Sequence, residues 1–240
     1  MIGIGAFLII WEIIAASGSI PENYLPAFYR IVATMIDGDI GPIIITESLI
    51  TLLRALTGYL ISASIAIPLG IFLGRSRLGS EILGPLIEFL RPLPSSAIIP
   101  VALLFLGLGS KMIIFVVVFG ASWPILVASM QGAKHVDPVM MDVARLLKLS
   151  QTRVNLEVVL PAAMPFVMGG LRISLAVSLI LAVTAEMLAG NNGIGFFILD
   201  MERSFRVKEM YAGILSIGFV GYFLNLAFES IEKKIIYWKE

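Results

Sequence analysis

Several residue types that build catalytic and metal sites are scarce in this chain. Its 240 residues include no cysteine and a single histidine, His135. Disulfides and thiolate metal sites are therefore excluded, and one histidine alone cannot form a structural zinc site. Charge is scarce as well, since 17 basic and 17 acidic side chains cancel and charged residues make up only 14% of the chain. Zero net charge gives no basis for predicting a nucleic-acid partner.

The sequence also lacks a phosphate-binding loop. No segment reads Gly-x-x-x-x-Gly-Lys-Ser/Thr, the pattern that holds nucleotide phosphates, and GLGSK at 107–111 is only a short turn. The apolar segments hold no nucleophile–base set and no close carboxylate pair, which argues against a membrane-embedded enzyme. We therefore expect a protein that is not an enzyme and binds no cofactor of its own. Any use of ATP would depend on another chain.

Hydrophobic residues, in contrast, are abundant at 58% of the chain. A soluble domain usually holds about 45–50% apolar residues, so the composition predicts an all-α membrane protein. A helix that crosses the bilayer needs about 20 mostly apolar residues. Six candidate spans are found at 2–16, 47–74, 82–107, 110–132, 163–189 and 209–231.

Residues 1–46 are predicted to form a unit that precedes the transmembrane core at 47–240. Segment 2–16 lacks the basic region of a secretory signal, so we predict a retained first span, short enough to leave room for natural residues upstream. Segment 24–37 is amphipathic and too polar to span, and it is predicted to lie along the outer interface. The core then holds the remaining five spans.

The distribution of basic residues predicts the orientation. Six spans place both termini on one side, whose loops and tail carry nine basic residues against five on the other. The nine are Arg75, Arg77, Lys134, Arg145, Lys148, Arg153, Lys233, Lys234 and Lys239; the five are Arg30, Lys111, Arg203, Arg206 and Lys208. Because basic excess marks the cytoplasmic face, both termini are predicted to be cytoplasmic.

A long polar segment, DVARLLKLSQTRVNLEVVLP, lies on the predicted cytoplasmic side at 142–161. Asp137, followed by proline, can cap one helix, and Ser150 can cap a second. The apolar residues recur at helical spacing. We therefore predict two short amphipathic helices over about 137–158, joined near Lys148. They form either a solvated loop packed on its own bundle or a docking surface, and docking is favoured because connections above about 12–15 residues tend to be functional or disordered.

This segment resembles a motif of importer permeases of the ATP-binding-cassette (ABC) class. The motif reads Glu-Ala-Ala, three residues, Gly, nine residues, Ile, one residue, Leu-Pro. The matching positions, without a gap, are Asp142, Val143, Ala144, Lys148, Val158, Leu160 and Pro161. Lysine at the glycine position is the main departure. If that glycine takes a left-handed turn, lysine costs about 1 kcal/mol or more there, so we expect the turn or the helix orientation to differ in this chain.

The resemblance covers roughly residues 45–240, most clearly at 88–111, 161–195 and 211–225. These segments resemble the branch that imports nitrate, sulfonate, taurine and bicarbonate. The resemblance implies the type I importer architecture, a permease homodimer around one pathway, ATPase subunits that hold ATP and Mg, and an external solute-binding protein. The residues implied to couple to the ATPase are Asp142, Val143, Ala144, Arg145, Lys148, Leu160 and Pro161. The Leu-Pro pair is also expected to end the second short helix and begin the next span.

Small residues repeat every four positions along span 47–74. They are Gly58, Ser62, Ala66, Gly70 and Gly74. Such a face lets two helix backbones approach closely in lipid. It serves either packing within one subunit or a contact with the dimer partner that slides during transport.

Five ionisable residues lie within the predicted spans: Arg54, Glu88, Arg91, Arg172 and Glu186. Each costs about 2.5–3.5 kcal/mol at the bilayer centre on insertion scales, so each should face a partner or a watery path. Similar depth predicts an outer pair, Arg54–Glu186, and an inner pair, Glu88–Arg172. Glu88 could pair instead with Arg91, three residues on in the same helix. The pairs are either structural or contact an anionic solute in passage.

A secondary transporter is the alternative function. It would need no cytoplasmic docking helices and often shows two similar halves. The polar segment at 142–161 has no counterpart in residues 1–120, which favours the ATP-driven permease. On the predicted outer side, Asn191-Asn192-Gly193 predicts a turn, interpreted as an external loop or a resting place for a binding protein.

Overall fold

The computed structural model describes residues 2–236, and this part of the chain is helical without β-strands. The helices are α1 Ile2–Ala16, α2 Phe28–Ile36, α3 Ile40–Arg75, α4 Arg77–Leu90, α5 Ile99–Leu106, α6 Ser110–Lys134, α7 Pro138–Leu146, α8 Gln151–Arg153, α9 Leu160–Ala189, α10 Ile194–Arg203 and α11 Val207–Ile235. A 3₁₀ turn at Ser95–Ile98 precedes α5, and a π-helical turn at Val154–Val159 joins α8 to α9. Lys239, one of the basic residues used to predict the orientation, lies outside the described residues.

Four helical stretches are long and apolar enough to cross a membrane: α3, α6, the continuous stretch from α8 through α9, and α11. A fifth is formed by α4 together with the 3₁₀ turn and α5, but these two parts meet at an 87° bend. The predicted span at 82–107 is therefore a bent pair of helices and not one straight helix. Pro92 and Pro94 explain the break, because proline lacks the N–H that would continue a helix and the residue before it avoids the α conformation.

The first predicted span, α1, is helical and apolar but short. Its 15 residues reach about 22 Å, against a hydrocarbon core of about 30 Å. It is tied to the next segment, where Trp11 Nε1 donates to the Pro26 carbonyl at 3.0 Å and Glu12 accepts the N–H of Phe28 at 2.9 Å. Glu12 thereby caps α2, the amphipathic helix predicted after α1. By length, the described chain has four to five spans where six were predicted.

The small-residue face of α3 packs against α6 within the chain. A Cβ on Gly58 would lie 2.5 Å from Val117 Cγ1, and one on Gly74 would lie 2.5 Å from the Met130 carbonyl oxygen. Ser62 Oγ donates to a backbone carbonyl of α6 at 3.1 Å. The predicted close approach of two backbones is confirmed, and of its two explanations the structure supports packing within one subunit.

The helical path from Gln151 to Ala189 is continuous, so the prediction that the Leu-Pro pair separates two helices is wrong. Pro161 has no N–H and its ring would clash with the carbonyl four residues earlier in a regular α-helix. The π-helical turn lies directly before it, and Leu160 N–H bonds to the Asn155 carbonyl five residues back. This wider turn accommodates the proline, and α8 becomes an extension of the transmembrane helix α9.

Apolar clusters close the two ends of the helix bundle. Helix α7 lies at one end of the bundle, which is called the knob end after the projection that α7 and α8 form there. A cluster at this end buries Ile71 of α3, Ala133 of α6 and Ala144 of α7. At the opposite end, Ile44 of α3 and Ile194 of α10 belong to another buried cluster. A candidate site lies next to each cluster.

Candidate functional sites

Helices α7 and α8 form a compact projection at 138–153, hereafter the knob. Each begins with the side-chain cap that the sequence predicts. Asp137 Oδ1 accepts the N–H of Val139 at 2.8 Å, and Ser150 Oγ accepts the N–H of Arg153 at 3.4 Å. These caps satisfy N–H groups that have no partner inside the helix, so the two predicted short helices are present.

Lys148 joins the two helices in a left-handed conformation with φ 50°. Its N–H donates to the Arg145 carbonyl at 2.9 Å, and the N–H of Leu149 donates to the Ala144 carbonyl at 3.1 Å. These two bonds form a Schellman motif, a helix ending that favours glycine. Lysine therefore adopts a left-handed turn here and bears a strain of about 1 kcal/mol. The expectation that the turn or the helix orientation differs from that of the family stays a prediction.

The outer face of the knob is apolar and exposed. Val139, Leu146 and Leu147 expose 67%, 82% and 67% of their surface. A groove of about 630 Å³ runs alongside, between α7 and the start of the stretch that leads into α9. Contiguous apolar surface rimmed by polar residues is typical of an interaction site.

Five of the residues implied to couple to an ATPase are exposed on or beside the knob: Asp142, Val143, Arg145, Lys148 and Pro161. Asp142 and Arg145 form an ion pair of 3.0 Å across one helical turn. Ala144 is 2% exposed and packs, with Leu160, in the buried cluster of the knob end. One set of these residues faces outward, and the other fixes the knob to the transmembrane helices.

At the opposite end, Arg54 of α3 and Glu186 of α9 form the outer ion pair that the sequence predicts. The N–O distance is 2.7 Å, and the two side chains are 5% and 0% exposed. Arg54 also donates to the Ser110 hydroxyl and to the Asn192 carbonyl, each at 3.0 Å. Because both charges are paired and hydrogen-bonded, the cluster can remain buried without an uncompensated charge.

The Glu186 carboxylate also positions the start of α10. Its Oε2 accepts the Thr51 hydroxyl at 2.7 Å and the N–H of Gly195 at 3.1 Å, and Thr51 Oγ1 accepts the N–H of Ile194 at 2.8 Å. Gly193 has φ +99°, and a Cβ there would lie 2.2 Å from the carboxylate carbon. The Asn-Asn-Gly pattern predicts only the turn, and α10 was not expected, although an apolar run follows the turn.

The predicted inner pair, Glu88 with Arg172, is wrong. Arg172 pairs instead with Glu232 of α11, and its guanidinium lies 5.8 Å from the centre of the Phe228 ring. Depth in the membrane was the basis of the prediction, and depth does not say which helices are neighbours. Glu88 and Arg91 are exposed, and within residues 2–236 neither has an ion-pair partner, so the alternative Glu88–Arg91 pair is absent as well.

A cavity of about 690 Å³ lies between α6 and α9, beside the bend after α4. Its polar lining comes from Arg91, Ser95, Trp123 and Gln131, and the remaining wall is apolar or glycine. A Cβ on Gly169 would meet nothing within 4 Å, so α9 leaves space at that point. The cavity thus brings Arg91, one of the predicted pathway residues, to an open space within the membrane-spanning region.

Comparison with known proteins places this architecture among transport proteins. A family model described as binding-protein-dependent transport system inner membrane component matches residues 66–236. The chain is 33% identical over 232 residues to the bicarbonate transport system permease protein CmpB of Synechococcus elongatus, which covers 93% of this chain and 84% of that protein. It is 31% identical over 241 residues to the nitrate import permease protein NrtB of Synechocystis sp., with 98% and 88% covered.

A solved structure shares the fold. An inward-facing conformation of the MetNI methionine ABC transporter superposes with a TM-score of 0.74, covering 83% of this chain and 99% of that chain. The identity is 15%, so this likeness bears on the fold alone. The helix arrangement is that of a type I ABC importer permease.

Proposed function

The chain belongs to the family of inner-membrane components of binding-protein-dependent transport systems, and from this premise we propose how it is powered and what it carries. It is a multi-pass membrane protein and a permease subunit of an ABC importer. The proposal is that the knob docks into a separate ATPase subunit and that a second copy of the chain completes the pathway. The cargo, delivered by an external binding protein, is a small anion.

The exposed apolar face of the knob is the observation that carries the docking proposal. Leu146 and Leu147 lie beyond Arg75 and Lys134, where the apolar helices α3 and α6 end. Water would surround these leucines in the absence of a partner, although burying one large apolar side chain contributes about 1.5–3 kcal/mol. A cleft in an ATPase would bury them. The sequence also lacks a phosphate-binding loop of its own, which supports ATP hydrolysis by another chain.

The attachment of the knob supports a route for transmitting motion. Buried Ala144 links α7 to α3 and α6, and α8 continues through the π-helical turn into α9. A displacement of the knob therefore moves transmembrane helices instead of being absorbed by a flexible loop. In the proposed cycle, ATP binding draws two ATPase subunits and two knobs together and opens the pathway outward, and hydrolysis resets it.

The relatives support a small anion as cargo. Bicarbonate and nitrate, the substrates that the names of these two relatives give, are planar oxyanions with one negative charge. Sulfonates and taurine, the other members of the class implied by the resemblance, present a charged group of three oxygens. The excess of basic residues at the knob end supports a cytoplasmic knob. The end of α11 is then cytoplasmic as well, because Ile236 packs against Leu73 near the knob end of α3.

Reconstitution tests the function. The permease is assembled with its ATPase in proteoliposomes, with ATP inside and the binding protein outside, and uptake of labelled nitrate, bicarbonate and an alkanesulfonate is measured. We expect ATP-dependent uptake of at least one of these anions. Uptake that persists without the ATPase would identify a secondary transporter instead.

A charge swap tests the docking surface. The pair Asp142→Arg with Arg145→Asp keeps the ion pair within the helix but reverses its polarity toward a partner. The matched control is Arg77→Glu with Glu81→Arg, an exposed pair at the same end of the molecule. We expect the first swap to reduce co-purification of the ATPase at least about tenfold, which corresponds to about 1.4 kcal/mol, and the control to leave it unchanged. Equal effects of the two swaps would contradict docking at the knob.

A further inference from the structure

We infer that the cavity between α6 and α9 is a holding site for a small oxyanion, with Arg91 as its cationic anchor. This inference rests on the proposed function, because it names the place in the permease where the cargo is bound in passage. No residue of the knob and no member of the buried Arg54–Glu186 cluster lines this cavity.

The charge of Arg91 is the first observation. The residue directly follows α4, within the bent helix pair that is long and apolar enough to cross a membrane. A cation at membrane depth needs a partner or a watery path. Arg91 has no ion-pair partner within residues 2–236, whereas Arg54 and Arg172 each have one. Glu88 lines a neighbouring cavity of about 410 Å³ that Arg91 also reaches, and its carboxylate is not within ion-pair distance.

The remaining polar groups of the cavity suit an anion. Trp123 adds its indole ring to the wall, whereas the Nε1 atom of that ring is buried in the described structure and does not open into the cavity. Ser95 and Gln131 add a hydroxyl and an amide, and no carboxylate lines the cavity. An oxyanion accepts hydrogen bonds from the Ser95 hydroxyl and the Gln131 amide and neutralises the Arg91 guanidinium.

The size and openness of the cavity suit transient binding. Its volume of about 690 Å³ lies within the range of roughly 300–1,000 Å³ typical of ligand pockets. Ser95 is fixed against α6, because a Cβ on Gly120 would lie 2.6 Å from its Oγ. Glycine at 169 leaves room on the facing helix. A transport site must also release its ion, so one cation with a few neutral donors is better suited than a tight cage.

Quenching of Trp123 fluorescence tests the site without transport. The chain has three tryptophans, and the substitutions Trp11→Phe and Trp238→Phe leave Trp123 as the sole emitter. The full-length permease in nanodiscs is titrated with nitrate, an anionic quencher, and with acrylamide, a neutral one, at constant ionic strength held with gluconate. The measured quantity is the quenching constant for nitrate divided by that for acrylamide. A change in the general accessibility of Trp123 affects both constants and cancels in this ratio.

We expect Arg91→Gln to lower this ratio by about threefold or more, because a nearby cation raises the local concentration of anions. Arg91→Lys retains the charge and keeps the ratio high, and Arg77→Gln, at the exposed start of α4, leaves it unchanged. A ratio that Arg91→Gln does not lower overturns the inference. That result would follow if a lipid phosphate or a carboxylate of a second copy already neutralised Arg91.

Filling the cavity provides a second test in the reconstituted importer. Gly169→Leu places a side chain in the cavity, whereas Gly218→Leu places one on α11, where a Cβ also meets nothing within 4 Å. We expect the first substitution to reduce uptake of the transported anion at least about tenfold and the second to leave it unchanged. Equal uptake by both variants would contradict the site. The two proposals can fail separately. If the unmodified importer carries no anion but the quenching ratio still falls in Arg91→Gln, the proposed cargo is contradicted and the anion site is not.

Discussion

Glu186 is fully buried and pairs with Arg54, which is itself 5% exposed. The carboxylate also receives the Thr51 hydroxyl and a backbone N–H of α10. Two membrane helices and the start of α10 therefore meet at one side chain. The Glu186 charge is therefore structural, because the carboxylate oxygens accept hydrogen bonds from groups of the same chain.

Replacing Glu186 by glutamine is expected to destabilise the protein by about 3–5 kcal/mol, because the buried Arg54 charge loses its partner. The thermal unfolding midpoint of the purified protein in detergent measures the loss. The control is Glu81→Gln, which breaks an exposed pair with Arg77 and should cost less than about 1 kcal/mol. Equal midpoints for the two variants would contradict a structural role for the outer pair.

Replacing Lys148 is expected to change the stability by a smaller amount and in the opposite direction. Lys148→Gly should relieve the left-handed strain and stabilise the end of α7 by about 1 kcal/mol. Hydrogen exchange at the Leu149 N–H, which donates to Ala144, should then slow about fivefold. Lys148→Ala retains a Cβ and serves as the control. If alanine slows exchange as much as glycine does, strain at this residue is not the cause.

At the scale of helices, the predictions that depend on a short stretch of sequence were confirmed, whereas the predictions of which helices are neighbours were only partly correct. Asp137 and Ser150 were predicted as caps because capping needs only a short-range pattern, and both cap in the structure. Arg54 and Glu186 were paired from depth because both lie near the same end of packed helices. The same argument failed for Glu88, since depth cannot tell that Arg172 faces α11.

The breaks in helices show the same division. Pro92 and Pro94 break the predicted span at 82–107. The break was missed because the span was predicted from hydrophobicity alone. Pro161 stands at a predicted break that does not occur, because a π-helical turn absorbs it. Whether a proline breaks a helix or is accommodated depends on how the preceding turn packs, and a sequence pattern does not contain that information.

Pro161→Ala tests the π-helical turn as a mechanical element. With an N–H restored, the turn can relax to regular α-helix, which changes the register by one residue and rotates α8 by about 100° relative to α9. We expect uptake by the reconstituted importer to fall at least about tenfold while the unfolding midpoint stays within a few degrees. Pro68→Ala, within α3, is the control for replacing a helical proline. Undiminished uptake in Pro161→Ala would show that the register of α8 is not required.

For the whole molecule, the composition was enough to predict an all-helical membrane protein, and the resemblance of the polar segment at 142–161 to the ABC permease motif implied the transport class. The family match over 66–236 and the fold shared with a methionine ABC transporter agree with that prediction. The number of spans was harder to predict, because the length of α1 falls short of the bilayer core and α4 is bent away from α5. Helix length and bending depend on packing that hydrophobicity does not report.

The central claim is that the knob faces the cytoplasm and is bound by an ATPase subunit. Site-directed labelling tests it directly, because the chain has no cysteine of its own. Leu146→Cys and Phe205→Cys place single thiols at residues 82% and 89% exposed, at the knob end and the opposite end. We expect a membrane-impermeant maleimide to label Leu146→Cys only from the cytoplasmic side, with protection by the bound ATPase, and Phe205→Cys only from outside. Labelling of Leu146→Cys from outside, or labelling unaffected by the ATPase, would contradict the account.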